Sequence, residues 1–192
     1  MLVLILGLVV FLAVHSVRIV APAWSEGVIA RYGENAWKGV YSLVSLVGLV
    51  LIVWGYGLSR LDPVVLYSPP VWMRHVTLVL MMPVFVMLAA AYIPGRIKST
   101  LKHPMLAATK LWAVAHLLAN GTLADVLLFG SFLAWAVADR ISLKRRPQSP
   151  AVADLSPPPA NDVVALVIGA TLYVVFLLFL HEWLFGVSPL AA

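Results

Sequence analysis

Histidines are the residues of this sequence best suited to chemistry, because it holds five of them and no cysteine. Two are expected at membrane depth: His15 near the N-terminus, and His116 in a later apolar run that begins at Pro104. At about 1.5 Å per residue, His116 lies roughly 18 Å into its run. An ionisable side chain at membrane depth is costly, so each is a functional candidate. Two buried imidazoles in a helical bundle favour bis-histidine ligation of haem iron, although a lone buried histidine more often bonds a neighbouring residue.

Basic residues near these histidines are candidates to bind an acidic group. Arg18 follows His15 by three residues and therefore shares its helix face. If His15 binds haem b, Arg18 is the first candidate to pair with a propionate, and Lys102 and Arg96 are the next. The alternative is that Arg18 extends to the membrane interface while His15 bonds a backbone carbonyl. Lys110 lies on a different face from the second histidine and pairs either with a carboxylate or with an acidic group of a ligand.

His103 stands directly before Pro104, where the fourth apolar run begins. Proline at that position starts a helix, so we expect His103 at the cytoplasmic interface rather than at the depth of a haem. One interpretation is that it fixes the preceding loop. The other is that His103 and Lys110, seven residues apart on one face, line the mouth of a pocket and hold a propionate or a polar substrate group. In neither interpretation is His103 an axial ligand.

The composition requires that helices in a membrane position these residues. Of 192 residues, 62% are hydrophobic and 11% are charged, and the mean hydropathy is +1.00. A soluble globular domain is therefore excluded. The formal charge of +5 lies in short loops, where membrane topology accounts for it, so nucleic-acid binding is not expected. Without cysteine, disulfides, thiolate-ligated haem, iron–sulfur clusters and cysteine nucleophiles are excluded.

Six apolar runs predict six transmembrane helices in one all-α, polytopic membrane domain over residues 1–192. They are Leu2–Val20, Gly39–Gly57, Val71–Ile93, Pro104–Ala119, Thr122–Ala138 and Val163–Trp183. Loops one, three and five contain ten Lys and Arg residues, whereas the opposite side contains two. Because positive charge stays in the cytoplasm, both termini are expected in the periplasm.

The connecting segments carry weaker signals. Residues 24–38 mix apolar and charged side chains, as either an interfacial amphipathic helix or an ordinary loop would. The Pro-rich residues 144–161 predict a flexible linker between the fifth and sixth spans. Thr122 and Asp125 form the pattern of a capping box, so Asp125 is interpreted as a helix cap rather than a catalytic acid. A ridge of small residues suited to close helix packing is formed by Gly130, Ala134 and Ala138.

Four stretches of the sequence resemble those of a known family. They are Phe11–Ser16 with Arg18, Ile93–Arg96, Lys102–Met105 and Leu111–Gly121. Through them the chain resembles the NnrU family over nearly its whole length. NnrU proteins are bacterial inner-membrane proteins associated with nitric oxide and nitrite reduction in denitrifying bacteria. The resemblance therefore implies a multi-pass protein of the bacterial inner membrane.

The same domain is similar to the plastid 15-cis-zeta-carotene isomerase, which carries haem b and isomerises a double bond when its iron is reduced. This resemblance implies that His15 and His116 are the axial ligands. It also places Ala113 where the isomerase has a cysteine implicated in ligand switching, so such a switch is not expected here. A fainter similarity, over Lys102-His103-Pro104, is to isoprenylcysteine carboxyl methyltransferases.

Three functions follow from these resemblances, and none assigns a catalytic residue. The first is a haem b protein that supports nitrogen-oxide respiration, by electron transfer with a redox partner or by sensing. The second is a haem-dependent isomerase of a carotenoid-like polyene, which requires an apolar cavity open to membrane lipid. The third is a methyltransferase-like enzyme.

Overall fold

The computed structural model describes residues 1–145 and 158–190, and over these residues the protein is all-α, as the composition predicts. The helices are α1 (Leu2–Val20), α2 (Pro22–Tyr32), α3 (Glu34–Ser59), α4 (Trp72–Tyr92), α5 (Arg96–Leu101), α6 (Pro104–Ala119), α7 (Leu123–Arg145), α8 (Pro159–Val175) and α9 (His181–Phe185). A π-helical turn, Phe176–Leu180, joins α8 to α9. In this part of the chain, five helical stretches are long and apolar enough to cross a membrane, namely α1, α3, α4, α7 and Pro159–Phe185.

The fourth predicted span is present as α6, with the predicted bounds. Pro104 occupies its first turn, where the missing amide hydrogen costs no bond, and Asn120 ends it in an extended conformation. Its 16 residues extend about 24 Å at 1.5 Å per residue, less than the hydrocarbon core of about 30 Å. Five helical stretches are thus long enough to span a membrane, whereas α6 is as apolar as a membrane span but shorter.

The segment over 24–38, predicted as an interfacial helix or a loop, divides at Gly33. Helix α2 ends there because Gly33 has a φ of 86°, which glycine adopts without strain. Glu34 and Lys38 belong to α3, where an ion pair of 2.9 Å joins their side chains. The loop interpretation is therefore wrong, and the helix is shorter than predicted.

Both ends of the range 144–161, predicted as a flexible linker, are helical. Helix α7 continues through Arg145, since Lys144 and Arg145 in its last turn complement the negative end of the helix dipole. Helix α8 begins at Pro159, a favourable first residue. The rest of that prediction, residues 146–157, lies outside the described part of the chain.

The helices form two compact units. The first comprises Met1–Tyr67 and Gly121–Leu143, so it contains α1, α2, α3 and most of α7. The second comprises Ser68–Asn120 and Lys144–Ala192, with α4, α5, α6, α8 and α9. His15 belongs to the first unit and His116 to the second.

In the first unit, the backbones of α1 and α3 lie in contact. A Cβ atom on Gly7 would lie 2.5 Å from the amide nitrogen of Ile52, and one on Gly48 would lie 2.8 Å from that of Phe11. Only glycine permits this approach, which is typical of membrane helix pairs. The ridge predicted around Gly130 does not pack in this way, because no neighbouring atom of the described residues lies within 4 Å of a Cβ there.

The start of α7 is fixed by the predicted capping box. The Asp125 amide donates to the Thr122 hydroxyl at 3.3 Å, and the Thr122 amide donates to the Asp125 carboxylate at 2.9 Å. The box is therefore confirmed. The same buried carboxylate accepts a hydrogen bond of 2.6 Å from the Tyr56 hydroxyl, which ties α7 to α3.

In the second unit, α4 packs against both α6 and α8. The Thr77 hydroxyl donates to the Ala115 carbonyl of α6 at 2.8 Å, and the Tyr173 hydroxyl of α8 donates to the Leu78 carbonyl at 3.0 Å. Each bond gives a polar group of one apolar helix a partner on another helix, as a membrane interior requires.

Candidate functional site

His15 lies on the face of α1 that packs inside the first unit. Leu8 lies two turns before it and is buried, and Phe11 lies one turn before it and packs against the same core. The Phe11 ring stacks on the imidazole, with centroids 4.1 Å apart and planes at 23°. The imidazole Nδ1 lies 2.7 Å from the Phe11 carbonyl oxygen. Because a carbonyl only accepts, Nδ1 carries the hydrogen, and in the neutral ring the lone pair belongs to Nε2.

Two aromatic residues from other helices also contact His15. The Tyr41 ring, from α3, has its centroid 5.1 Å from that of the imidazole, and the Trp135 ring, from α7, lies at 5.9 Å and 89°. Together with Phe11 they hold the imidazole in a largely aromatic setting. Sequence reasoning missed both residues, since aromatic side chains at the ends of apolar runs are already explained by the membrane interface.

A cavity of about 250 Å³ opens beside His15. Arg18 lines it, as predicted for a cation on the same face as the histidine, and so does Lys38, which the sequence analysis did not single out. The Lys38 ammonium pairs with the Glu34 carboxylate at 2.9 Å, and both side chains are largely exposed. Trp37 and Tyr41 complete the aromatic wall of the cavity. The arrangement can receive an acidic group next to an imidazole.

His116 repeats the local geometry of His15 in the second unit. Its Nδ1 lies 2.9 Å from the Trp112 carbonyl oxygen, four residues earlier, and the two rings are 5.4 Å apart. Nδ1 is again the donor, which leaves the lone pair on Nε2 of the neutral ring. The Asn120 side-chain amide donates to the backbone carbonyl of His116 at 2.9 Å. The pairing of the two histidines on one iron remains a prediction.

The basic residues predicted near the propionates lie around α5, in the second unit. The amides of Arg96 and Ile97 donate to the Asp162 carboxylate at 3.1 and 3.0 Å, and a Cβ on Gly95 would collide with that carboxylate. The stretch Ile93–Arg96 thus has a structural role, because it forms the contact between the start of α5 and α8. The Arg96 side chain is exposed, and its contact with a propionate remains a prediction.

Lys102 and His103 form a strained turn between α5 and α6. Lys102 has a φ of 61°, and among the described residues it is the only one other than glycine with a positive φ. The His103 amide donates to the Leu101 carbonyl at 2.7 Å, which closes a γ-turn around Lys102. The His103 carbonyl accepts the Ala107 amide at 3.1 Å, so its backbone caps α6. Lys110 is half-buried two turns further along α6, and its pairing with a carboxylate or with an acidic group of a ligand stays a prediction.

Histidine appears once more with its Nδ1 bound to a carbonyl. His181 donates to Val187 at 2.7 Å, six residues later and beyond the end of α9. Within residues 1–145 and 158–190, no three His, Asp or Glu side chains are grouped to hold a bare metal ion. Axial ligation of haem needs only two imidazoles.

Comparison with known proteins identifies a family. The family model described as NnrU protein matches residues 3–189. No curated protein and no solved structure matches the chain.

Proposed function

This chain belongs to the NnrU family, and we propose that it is an inner-membrane protein that binds haem b between His15 and His116. The family match over nearly the whole chain agrees with the NnrU resemblance. The two ligands are proposed from the similarity to the haem-containing isomerase and from the two imidazoles expected at membrane depth. The haem would serve nitrogen-oxide metabolism, by electron transfer with a redox partner or by sensing. When bound, haem supplies an iron that changes reversibly between two oxidation states.

The observation that carries the proposal is the shared orientation of the two imidazoles. Each donates its Nδ1 hydrogen to the carbonyl four residues earlier, at 2.7 Å for His15 and 2.9 Å for His116. Metal-ligating histidines almost always make such a bond, because it fixes the tautomer and raises the basicity of the other nitrogen. Both rings therefore have the tautomer that ligates iron through Nε2.

The cavity beside His15 supports the same assignment. Its volume of about 250 Å³ is below the range of roughly 300–1,000 Å³ typical of complete ligand pockets, so it suits one edge of a porphyrin. Arg18 and Lys38 are the cations at that edge, and the Glu34 carboxylate that pairs with Lys38 lines it too, so a propionate would compete with Glu34 for Lys38. A propionate placed there gains charge-assisted hydrogen bonds, which are about twice as strong as neutral ones.

Optical spectroscopy of the purified protein tests the proposal. We expect a low-spin b-type signal in the reduced-minus-oxidised spectrum of the wild type. Each of the single variants His15→Ala and His116→Ala should lose this signal. His181→Ala is the matched control, since that histidine also donates Nδ1 to a carbonyl but is not an assigned ligand. A low-spin spectrum that survives either ligand substitution would refute the pairing.

An isomerase of a polyene lipid is the second candidate, and one feature favours it. A largely apolar groove of about 410 Å³ is lined by α1 and α7, including Leu12, Ser16 and Leu127. Its apolar lining suits an extended hydrocarbon. Isomerisation requires that one axial ligand leaves, so carbon monoxide should bind the ferrous protein. Electron transfer requires six-coordinate iron in both redox states, so carbon monoxide should not bind.

The membrane orientation is also a proposal. The excess of Lys and Arg in loops one, three and five favours a cytoplasmic position for those loops and a periplasmic position for both termini. The methyltransferase-like alternative rests on Lys102-His103-Pro104, the stretch in which the structure shows a γ-turn that leads into α6.

A further inference from the structure

Trp135 carries a buried hydrogen-bond donor that has no partner in the described part of the chain. Its indole Nε1 is inaccessible to solvent and has no hydrogen-bond partner among residues 1–145 and 158–190. The indole nitrogen is a donor only, so no change of tautomer relieves it. Buried donors in native proteins are nearly always paired, and an unpaired one needs an explanation.

The position of Trp135 points to a bound group as that partner. The ring meets the His15 imidazole edge to face, with centroids 5.9 Å apart at 89°. Phe132, on the same face of α7, contacts Phe11, the residue that stacks on His15. Packing alone at this place needs only a ring, and phenylalanine supplies one at Phe132. The indole N–H is therefore the feature of Trp135 that packing does not explain.

We propose that the Trp135 indole N–H binds an oxygen of the group held at His15, namely a carboxylate of the haem. This inference rests on the proposed haem function. Trp135 does not line the cavity that Arg18 and Lys38 share with His15. The indole N–H is therefore a donor separate from these cations. A haem b has two propionates, so one carboxylate for the cations and one for the indole matches the ligand's chemistry.

Trp135→Phe tests this assignment, because it keeps an aromatic ring and removes the donor. We expect the haem-free variant to be at least as stable to heat as the wild type, because an unpaired buried donor has been removed. We expect its haem affinity to fall about tenfold, the effect of losing one hydrogen bond to a charged acceptor. The control is Trp54→Phe, at a tryptophan of α3 that is 58% exposed. It should change neither quantity.

Ultraviolet resonance Raman spectra provide a readout independent of affinity. The indole band that reports N–H hydrogen bonding, isolated as wild type minus Trp135→Phe, should shift when haem is added. If haem binds but the band does not shift and the variant's affinity is unchanged, the Trp135 assignment is wrong while the haem proposal stands. A variant that loses thermal stability without haem, at unchanged affinity, would likewise assign the indole a structural role. A wild-type protein that binds no haem would overturn both proposals.

Discussion

The hydrogen bond between Tyr56 and Asp125 should contribute measurably to stability, because it joins α3 to α7. The Asp125 side chain is 4% exposed, and its Oδ1 accepts the Tyr56 hydroxyl at 2.6 Å. Its Oδ2 is bound separately by the Thr122 amide and hydroxyl. Tyr56→Phe therefore removes the bond to one carboxylate oxygen and leaves the capping box in place.

The size of the effect follows from the setting. Hydrogen bonds between membrane helices contribute about 0.6 kcal/mol on average and about 1.7 kcal/mol at most. This one is short, its acceptor is a buried carboxyl group, and phenylalanine fills the same space, so no cavity adds to the loss. We expect Tyr56→Phe to lower the free energy of unfolding by about 1.5 kcal/mol, roughly a tenfold change in the unfolding equilibrium.

A double-mutant cycle in mixed micelles measures this energy. Wild type, Tyr56→Phe, Asp125→Ala and the double variant are unfolded reversibly; the loss of the capping box is common to both Asp125 variants, so the coupling energy should also be about 1.5 kcal/mol. Tyr32→Phe is the control, because that ring is 61% exposed on α2, and it should change stability by less than about 0.5 kcal/mol. Additive losses, or a loss for Tyr56→Phe no larger than for the control, would refute the reasoning.

Three further predictions concern the turns and the topology. Lys102→Gly should raise the free energy of unfolding by about 1 kcal/mol, because glycine adopts the positive φ without strain. The control Lys98→Gly, inside α5, should lower that free energy by about as much. A lower free energy of unfolding for Lys102→Gly would contradict the proposed strain. Gly95→Ala should lower the free energy of unfolding by about 2 kcal/mol, because the new methyl group forces Asp162 away from the α5 amides. The control Gly57→Ala, with open space around it, should leave stability unchanged or raise it slightly. Equal effects of the two substitutions would exclude the collision. An alkaline phosphatase fused after the C-terminus should be active in whole cells, and an inactive fusion that is stably expressed would reverse the proposed orientation.

The sequence was sufficient for the helices whose ends are set locally. Pro104 fixes the start of α6 through its backbone geometry, and hydropathy fixes α1. The start of α3 was placed too late, because a hydropathy window discounts Glu34 and Lys38. The Glu34 carboxylate favours the first turn of a helix, and its ion pair with Lys38 four residues later stabilises that turn. Hydropathy identifies what the membrane buries, whereas charged ends of helices depend on local pairing.

Close packing was assigned to the wrong small residues for a related reason. The ridge at Gly130 has ideal spacing, yet the tight contact uses Gly7, Gly48 and Gly55. Gly48 and Gly55 are seven residues apart and share a helix face, a signal as strong as the ridge. Spacing indicates which residues permit a close approach, but the choice among them depends on the other helix. Trp135 was missed similarly, since its contact with His15 depends on how α7 packs on α1.

The local structure around both histidines shows how a helix can fix the orientation and the tautomer of an imidazole before any ligand binds. Each has an aromatic residue four positions earlier, Phe11 for His15 and Trp112 for His116. Side chains on a helix point back toward its N-terminus, so the imidazole reaches the turn that this aromatic residue occupies. That residue then acts twice: its carbonyl accepts the Nδ1 hydrogen, and its ring contacts the imidazole. Any helix offers the carbonyl, but the ring restricts the rotamers from which Nδ1 can reach it. An aromatic residue four positions before the histidine thus selects the Nε2 lone pair on both helices, and the proposed ligation of haem requires such a lone pair from each imidazole.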